Sequence, residues 1–274
     1  MSRERLDAAM VARGISAGRE QAKRSVMSGL VYVNGQKASK ASQTVAESDE
    51  ITVKGSALPF VSRGGLKLQR AMEVFSIDVA GKTCLDIGAS TGGFTDCLLS
   101  CGAKKVCAID VGYGQLDWKL RQDGRVAVME RTNARNMEPS WFEEPADFAC
   151  MDVSFISIKL ILPALFPCLR EGAQVVALIK PQFEAGREKV GKKGVVRDEA
   201  VHKEVLLSIM DFARTAGYSV LGLDHSPIKG PEGNVEFLIR LLAKSSQGLD
   251  AAKDVETAQK VLEQTRAFFE NRPE

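Results

Sequence analysis

"LDIGASTGGFTD" occupies Leu85–Asp96. An apolar run enters a glycine-rich turn, and the turn enters a helical pattern. Strand, turn and helix in that order form the unit from which open parallel sheets are wound. The alternation continues outward from this stretch. "TCLDIG", "KVCAIDV", "RVAVMERT", "DFACMDVSF" and "AQVVALIK" are apolar strand candidates, with amphipathic segments between most of them. Strands this apolar are buried on both faces, as in a parallel sheet covered by helices. "EAVHKEVLLSIMDFARTAG" reads as a further helix. "YSVLGLDHSPI" and "NVEFLIRLLAK" have no helix between them and read as an antiparallel pair. The expected fold class is α/β, a Rossmann-like sheet of five parallel strands closed by a terminal hairpin. Residues 246–274 are polar and helix-prone, with Ala258, Val261, Leu262 and Phe268 as an apolar stripe.

The 274 residues suffice for one large domain with a small companion. The formal net charge is only +2, but residues 1–40 carry eight basic side chains against three acidic ones. That is a local cationic surface suited to phosphates. Six cysteines occur without a C-x-x-C pair, and Cys84, Cys107 and Cys150 lie in strand candidates, where cysteine acts as a small hydrophobe. No metal site is expected. Reduced thiols, the lack of an apolar leader and the lack of an apolar span of about 18 residues point to a cytoplasmic protein without membrane contact.

The N-terminal segment holds two short helical patterns. Leu6, Ala9 and Met10 carry the first, and Ala22, Val26 and Met27 the second. "LVYVNGQKA" follows as a strand with an Asn34-Gly35 hairpin signal, and "DEITVKG" supplies a partner strand. Arg5-Leu6-Asp7, Ser16, Arg19, Ala22, Gly29, Val31, Val33, Asn34 and Gly35 together resemble the RNA-binding domain of ribosomal small-subunit protein S-four. The resemblance implies binding to structured RNA through Arg5, Arg19, Lys23 and Arg24, by backbone and shape more than by base edges. The expected boundaries are an RNA-binding domain over 1–58, a linker over 59–62, a catalytic domain over 63–245 and a helical tail over 246–274.

Ligands of open α/β sheets sit beyond the carboxyl ends of the strands. Gly88, Ser90, Gly92, Gly93 and Phe94 would form the turn there, without the G-x-G-x-x-G spacing of dinucleotide enzymes. Asp86 is expected at the strand end, facing the ligand. A carboxylate in that place suits the sulfonium and ammonium groups of S-adenosylmethionine better than a pyrophosphate. Asp110, 24 residues later, also ends a strand and is placed to hold ribose hydroxyls. Thr132, Asn133 and Ala134 would lie beside the adenine, and Asp152 beside the methyl group.

Lys67 in "SRGGLKL", Asp152 in "MDVSF", Lys180 in "LIKPQFE" and Glu236 in "GNVEFL" then converge on one crevice. This Lys-Asp-Lys-Glu order resembles the tetrad of FtsJ-like ribose 2′-O-methyltransferases. With "DIGASTGGFTD", "DVGYGQL", "ERTNAR", "KPQFE" and "GPEGNVEF", the chain resembles the haemolysin-A/TlyA family over about residues 1–244. The resemblance implies methyl transfer from S-adenosylmethionine to a cytidine 2′-hydroxyl in ribosomal RNA, with rRNA or ribosomal subunits as partner; a monomer is expected. Lys180 would be the base, made competent by burial and a nearby cation. Lys67 would be that cation or would orient the hydroxyl, Asp152 would position Lys180, and Glu236 would hold Lys67 or the ribose.

Arg63 opens this domain, and Arg187, Lys189, Lys192, Lys193 and Arg197 crowd the loop after Lys180, a second candidate surface for the RNA backbone. Three other readings compete. A nicotinamide dehydrogenase needs the absent glycine fingerprint. That enzyme would also leave the two lysines and the RNA module unexplained; a non-enzymatic ribosome-assembly factor is the second. A membrane-lysing protein needs an apolar or strongly amphipathic span that the sequence lacks.

Overall fold

The computed structural model describes residues 3–16, 18–27, 29–54 and 59–271, and the chain divides into two compact units, Met1–Arg63 and Gly64–Glu274. The first contains β1 (Arg3–Arg5), α1 (Leu6–Ala12), α2 (Arg19–Met27), β2 (Val31–Val33), β3 (Gln36–Lys37), β4 (Thr44–Ala46) and β5 (Ile51–Val53). The Asn34-Gly35 turn has positive φ at both residues and joins β2 to β3, as its sequence predicts. β2 is the central strand of the order β3-β2-β5. Leu6, Ala9, Met10, Ala22 and Val26 pack the two helices against Val31 of β2 and Val45 of β4. Two features depart from expectation. β1 pairs with β4 in a second ribbon, since three residues are too few to show alternation. Met27 is 86% exposed: it is the last residue of α2, one position past the buried Val26.

The second unit runs α3 (Gly65–Val74), β6 (Thr83–Ile87), α4 (Gly93–Ser100), β7 (Lys105–Ile109), α5 (Trp118–Arg121), β8 (Val126–Met129), β9 (Ala146–Met151), α6 (Leu162–Leu165), β10 (Leu169–Ile179), α7 (Pro181–Glu184), α8 (Glu199–Thr215), β11 (Tyr218–His225), β12 (Phe237–Ala243) and α9 (Asp254–Glu270). Its seven-stranded sheet has the order β11-β12-β10-β9-β6-β7-β8. β6 to β10 are parallel, and β12 inserts antiparallel between β10 and β11. Every residue of β6 and nearly every residue of β9 is buried, which explains the unbroken apolar runs. No long helix joins β9 to β10. Pro163 and Pro167 break that crossover into short helical turns. α9 carries the predicted apolar stripe inward, burying Ala258, Val261 and Leu262 against α8 and β11.

Strand order reverses at β6. The chain passes from β6 to β7 and β8 on one side, then returns to place β9 and β10 on the other. The loops leaving β6, β7 and β9 diverge at that switch point and open a crevice.

Candidate active site

The crevice has a volume of about 350 Å³. Apolar walls come from Ile87, Ile109, Ala134, Val153 and Ile161, and polar groups from Ser90, Asp110, Gln115, Thr132 and Asp152. Asp110 is fixed at both oxygens, which accept the backbone N–H groups of Ser90 and Gly112, each at 2.7 Å. Gly88 has φ +83°, and a Cβ there would lie 2.7 Å from the Asp152 carbonyl oxygen. Only glycine lets the β6 and β9 loops close together at this floor.

Of the residues expected to bind cofactor, Gly88, Ser90, Asp110, Thr132, Ala134 and Asp152 line the crevice. Five others lie elsewhere. Asp86 is one residue inside β6 and fully buried, and its carboxylate accepts the Thr95 hydroxyl at 2.6 Å. Burial pushes its pKa up to about 7, against the opposing pull of the Thr95 hydrogen bond. Gly92 caps α4 with φ +94°, and a Cβ there would fall 2.2 Å from Leu120 Cδ1. Gly92 therefore serves packing. Gly93 and Phe94 are buried in the first turn of α4. The Asn133 side chain turns back to accept Arg135 N–H and cap the turn Ala134–Asn136.

At one end of the crevice, four charged side chains meet. Lys67 sits in the first turn of α3, Asp152 just beyond β9, Lys180 just beyond β10 and Glu236 just before β12. Lys67 Nζ donates to Asp152 Oδ2 at 3.2 Å and lies 2.7 Å from Glu236 Oε2. Lys180 Nζ lies 2.6 Å from Asp152 Oδ1 and donates to Ser154 Oγ at 2.8 Å. Asp152 Oδ1 and Glu236 Oε2 meet their lysines as ion pairs without hydrogen-bond alignment. Both lysine side chains are 8% exposed and Glu236 only 1%. Burial draws the Lys67 ammonium toward neutrality, but Asp152 and Glu236 outweigh it and hold its pKa above the ordinary lysine value. Burial likewise disfavours a charged Asp152, and Lys67 and Lys180 prevail, keeping that carboxyl below its usual range. Lys67 is thus a fixed cation, and Lys180 faces one carboxylate oxygen and a hydroxyl.

Sequence reasoning missed Ser154, Phe155 and Glu184. Phe155 is 92% exposed at φ +64°, a conformation that costs a non-glycine residue energy. It packs on Phe183, with ring centroids 5.2 Å apart. Glu184 ties the two loops together, accepting Ser157 Oγ–H at 2.6 Å and Ile158 N–H at 2.9 Å. Phe155 and Phe183 also line a neighbouring hollow of about 620 Å³ with Arg135 and Arg187.

The expected RNA-binding residues divide. Arg5 and Arg19 both pair with Asp7, at 2.9 and 3.1 Å, and Lys23 pairs with Glu20 at 2.5 Å. The Arg24 side chain lies outside the described residues. Arg63 is exposed, as are Arg187, Lys192 and Lys193, whereas Lys189 is paired with Glu204 at 2.5 Å on α8. Among the described residues there is no cluster able to hold a metal ion, and no helix is long and apolar enough to cross a membrane.

The FtsJ-like methyltransferase family matches residues 60–242, and the S4 domain matches residues 4–51. YqxC of Bacillus subtilis, provisionally named an rRNA methyltransferase, is 49% identical over 273 residues, which cover 97% of each chain. TlyA of Mycobacterium tuberculosis, named a 16S/23S rRNA (cytidine-2′-O)-methyltransferase, is 44% identical over 257 residues, covering 93% of this chain and 96% of that one. A solved structure from Streptococcus thermophilus, of a protein provisionally named a hemolysin, matches with a TM-score of 0.77 at 49% identity over 98% of both chains.

Proposed function

This chain belongs to the FtsJ-like methyltransferase family, and on that premise we propose that it methylates the 2′-hydroxyl of a cytidine ribose in ribosomal RNA, with S-adenosylmethionine as methyl donor. One observation carries the reading: a carboxylate, Asp152, clamped between two buried lysines at the edge of a crevice of a size for a nucleoside. The crevice volume falls in the range of small-molecule sites, ~300–1,000 Å³. Its residues fit the donor. Asp110, held rigid by two backbone N–H groups, is an acceptor for vicinal hydroxyls, and the aliphatic walls suit an adenine ring. When bound, S-adenosylmethionine supplies an electrophilic methyl group on its sulfonium.

The chain's own groups supply the rest. A ribose hydroxyl is a poor nucleophile until its proton is removed along a fixed line of approach. Lys180 takes that proton at Nζ as the free amine, its ammonium form having first given a proton to solvent. Asp152 and Ser154 hold Nζ in place from two sides, which fixes the approach. Lys67 remains an ammonium shared between Asp152 and Glu236, and Glu236 anchors it. The exposed Phe155, held against Phe183, offers a face on which the target base stacks once it is drawn out of the RNA. Arg135 and Arg187 flank that hollow and suit the adjoining phosphates.

The reading is tested by incubating the purified chain with labelled S-adenosylmethionine and ribosomal subunits from cells lacking the protein. Label should appear in rRNA as 2′-O-methylcytidine, identified by mass mapping of nuclease fragments. Label on a base, or none on either subunit or on naked rRNA, would overturn it.

A further inference from the structure

The basic loop after β10 is firmly attached at one point. Gly194 N–H donates to the Gly191 carbonyl at 2.8 Å and closes a four-residue turn. Lys192 and Lys193 occupy its two central positions, and both are exposed. The arm leaving the turn is gripped by one side chain. The Asn234 amide donates to the Gly194 carbonyl at 2.9 Å, and its oxygen accepts Val196 N–H at 3.0 Å. A single planar amide thus pairs with backbone groups two residues apart, much as a neighbouring strand would. His202 Nε2 on α8 lies 3.0 Å from the Val196 carbonyl, which can only accept, so that nitrogen donates. Asn234, His202 and Val196 are all buried. The Asn234 carbonyl itself accepts Gly230 N–H at 2.8 Å, in the loop that reaches Glu236 two residues later.

A solvated loop needs no buried, doubly bonded amide, and burying one without both bonds would be costly. We propose that Asn234 and His202 form a latch that sets the Lys192–Lys193 turn at a fixed span from the Lys67–Glu236 pair. The turn takes an RNA phosphate at a set distance from the ribose being methylated. This rests on the reading of the chain as an rRNA ribose methyltransferase. Asn234 is a positioning residue: it touches neither RNA nor cofactor, and it acts through the two lysines.

The test uses the full chain and ribosomal subunits as substrate. Asn234→Ala should raise KM for the subunit about tenfold, the scale of losing two hydrogen bonds, while the rate at saturating subunit stays within about threefold of wild type. Adding Lys192→Ala and Lys193→Ala to Asn234→Ala should cost less than about twofold more, because an unlatched turn no longer places its lysines. Full additivity would overturn the proposal, as would a fall in the saturated rate at unchanged KM. Hydrogen exchange at the Val196 amide reads the latch without RNA and should speed up in Asn234→Ala. Unchanged exchange would overturn the latch even in an active enzyme. Faster exchange in Asn234→Ala beside a wild type that methylates nothing would overturn the functional reading and leave the latch standing. If Asn234→Ala does not fold, His202→Phe keeps the ring packed on Phe237 and removes only the donor to Val196. It should move KM and exchange in the same direction by a smaller factor, and the absence of both shifts would overturn the proposal.

Discussion

Asp7 in the first unit and Asp152 in the second each stand between two cations, yet the cations differ in what they can reach. Arg5 and Arg19 bind Asp7 while leaving 47% and 54% of their side chains in solvent. Lys67 and Lys180 bind Asp152 with 8% of theirs exposed. In the first case the carboxylate is a hidden post from which two guanidinium groups fan outward. Their hydrogen bonds, that from Arg5 first, hold the Asp7 carboxyl far below its usual range, so the post stays charged. In the second the whole arrangement turns inward, and compact ammonium groups replace planar forks. Arginine never gives up its proton under ordinary conditions, whereas lysine can. The first arrangement suits display of charge to a polyanion, and the second suits movement of a proton. Asp86 completes the series: it is fully buried, with a hydroxyl partner and, among the described residues, no cation in bonding reach.

The comparison is broken most directly at Asp86, where the largest effect is expected. Its folded pKa of about 7 exceeds the unfolded value near 3.8, so the native state holds this proton more tightly. The stability it contributes is complete below about pH 4 and is lost as pH rises through 7. Carboxylates such as Asp7 and Asp152 are ionised in both states from pH 5 to 8 and add no slope there. Three pKa units correspond to about 4 kcal/mol. Urea unfolding across pH 4 to 8 should show wild type losing an amount of that order relative to Asp86→Asn, more than half of it above pH 5. Parallel pH profiles for the two proteins would mean that Asp86 finds a cation after all.

A smaller effect, on rate, comes from making the second arrangement resemble the first. Lys180→Arg restores a cation beside Asp152 but one that cannot act as base. Single-turnover methyl transfer should fall at least ~100-fold, or about 2.7 kcal/mol, as it should in Lys180→Ala. Cofactor binding should persist in both. A near-normal rate in Lys180→Arg would make the residue an anchor and move the base to Asp152 or a water.

The smallest effect belongs to the first unit. Arg19→Ala with Lys23→Ala should weaken RNA binding across sequences and reduce the slope of log affinity against log salt by about one per lost phosphate contact. An unchanged slope would confine Arg19 to holding Asp7.

Sheet and tetrad were legible for one reason: each depends on residues whose character contrasts with their neighbours. Lys180 ends an apolar run, and Asp152 ends another. Asp86 was misplaced because that contrast carries no direction. In a strand buried on both faces, a polar residue next to the turn can point to either side, and alternation cannot tell which. Ser154, Glu184 and Asn234 were missed because their partners are distant. Glu184 meets Ile158 across 26 residues and Asn234 meets Val196 across 38, and neither spacing matches a local pattern. Arg5 and Arg19 were read as a free basic cluster because a count of charges treats Asp7 as an offset rather than as their shared support.

The insertion of β12 between β10 and β11 has a temporal meaning. During synthesis β11 emerges before the strand it pairs with, and it has no bonds to β10 to use in the meantime. A nascent chain ending after β11 already carries the S4 segment, Lys67, Asp152 and Lys180, but lacks Glu236. The sheet gains its final order only when the last strand slides in, and that event delivers the carboxylate that secures Lys67. A methyltransferase built this way is still incomplete while the ribosome making it holds the unfinished chain.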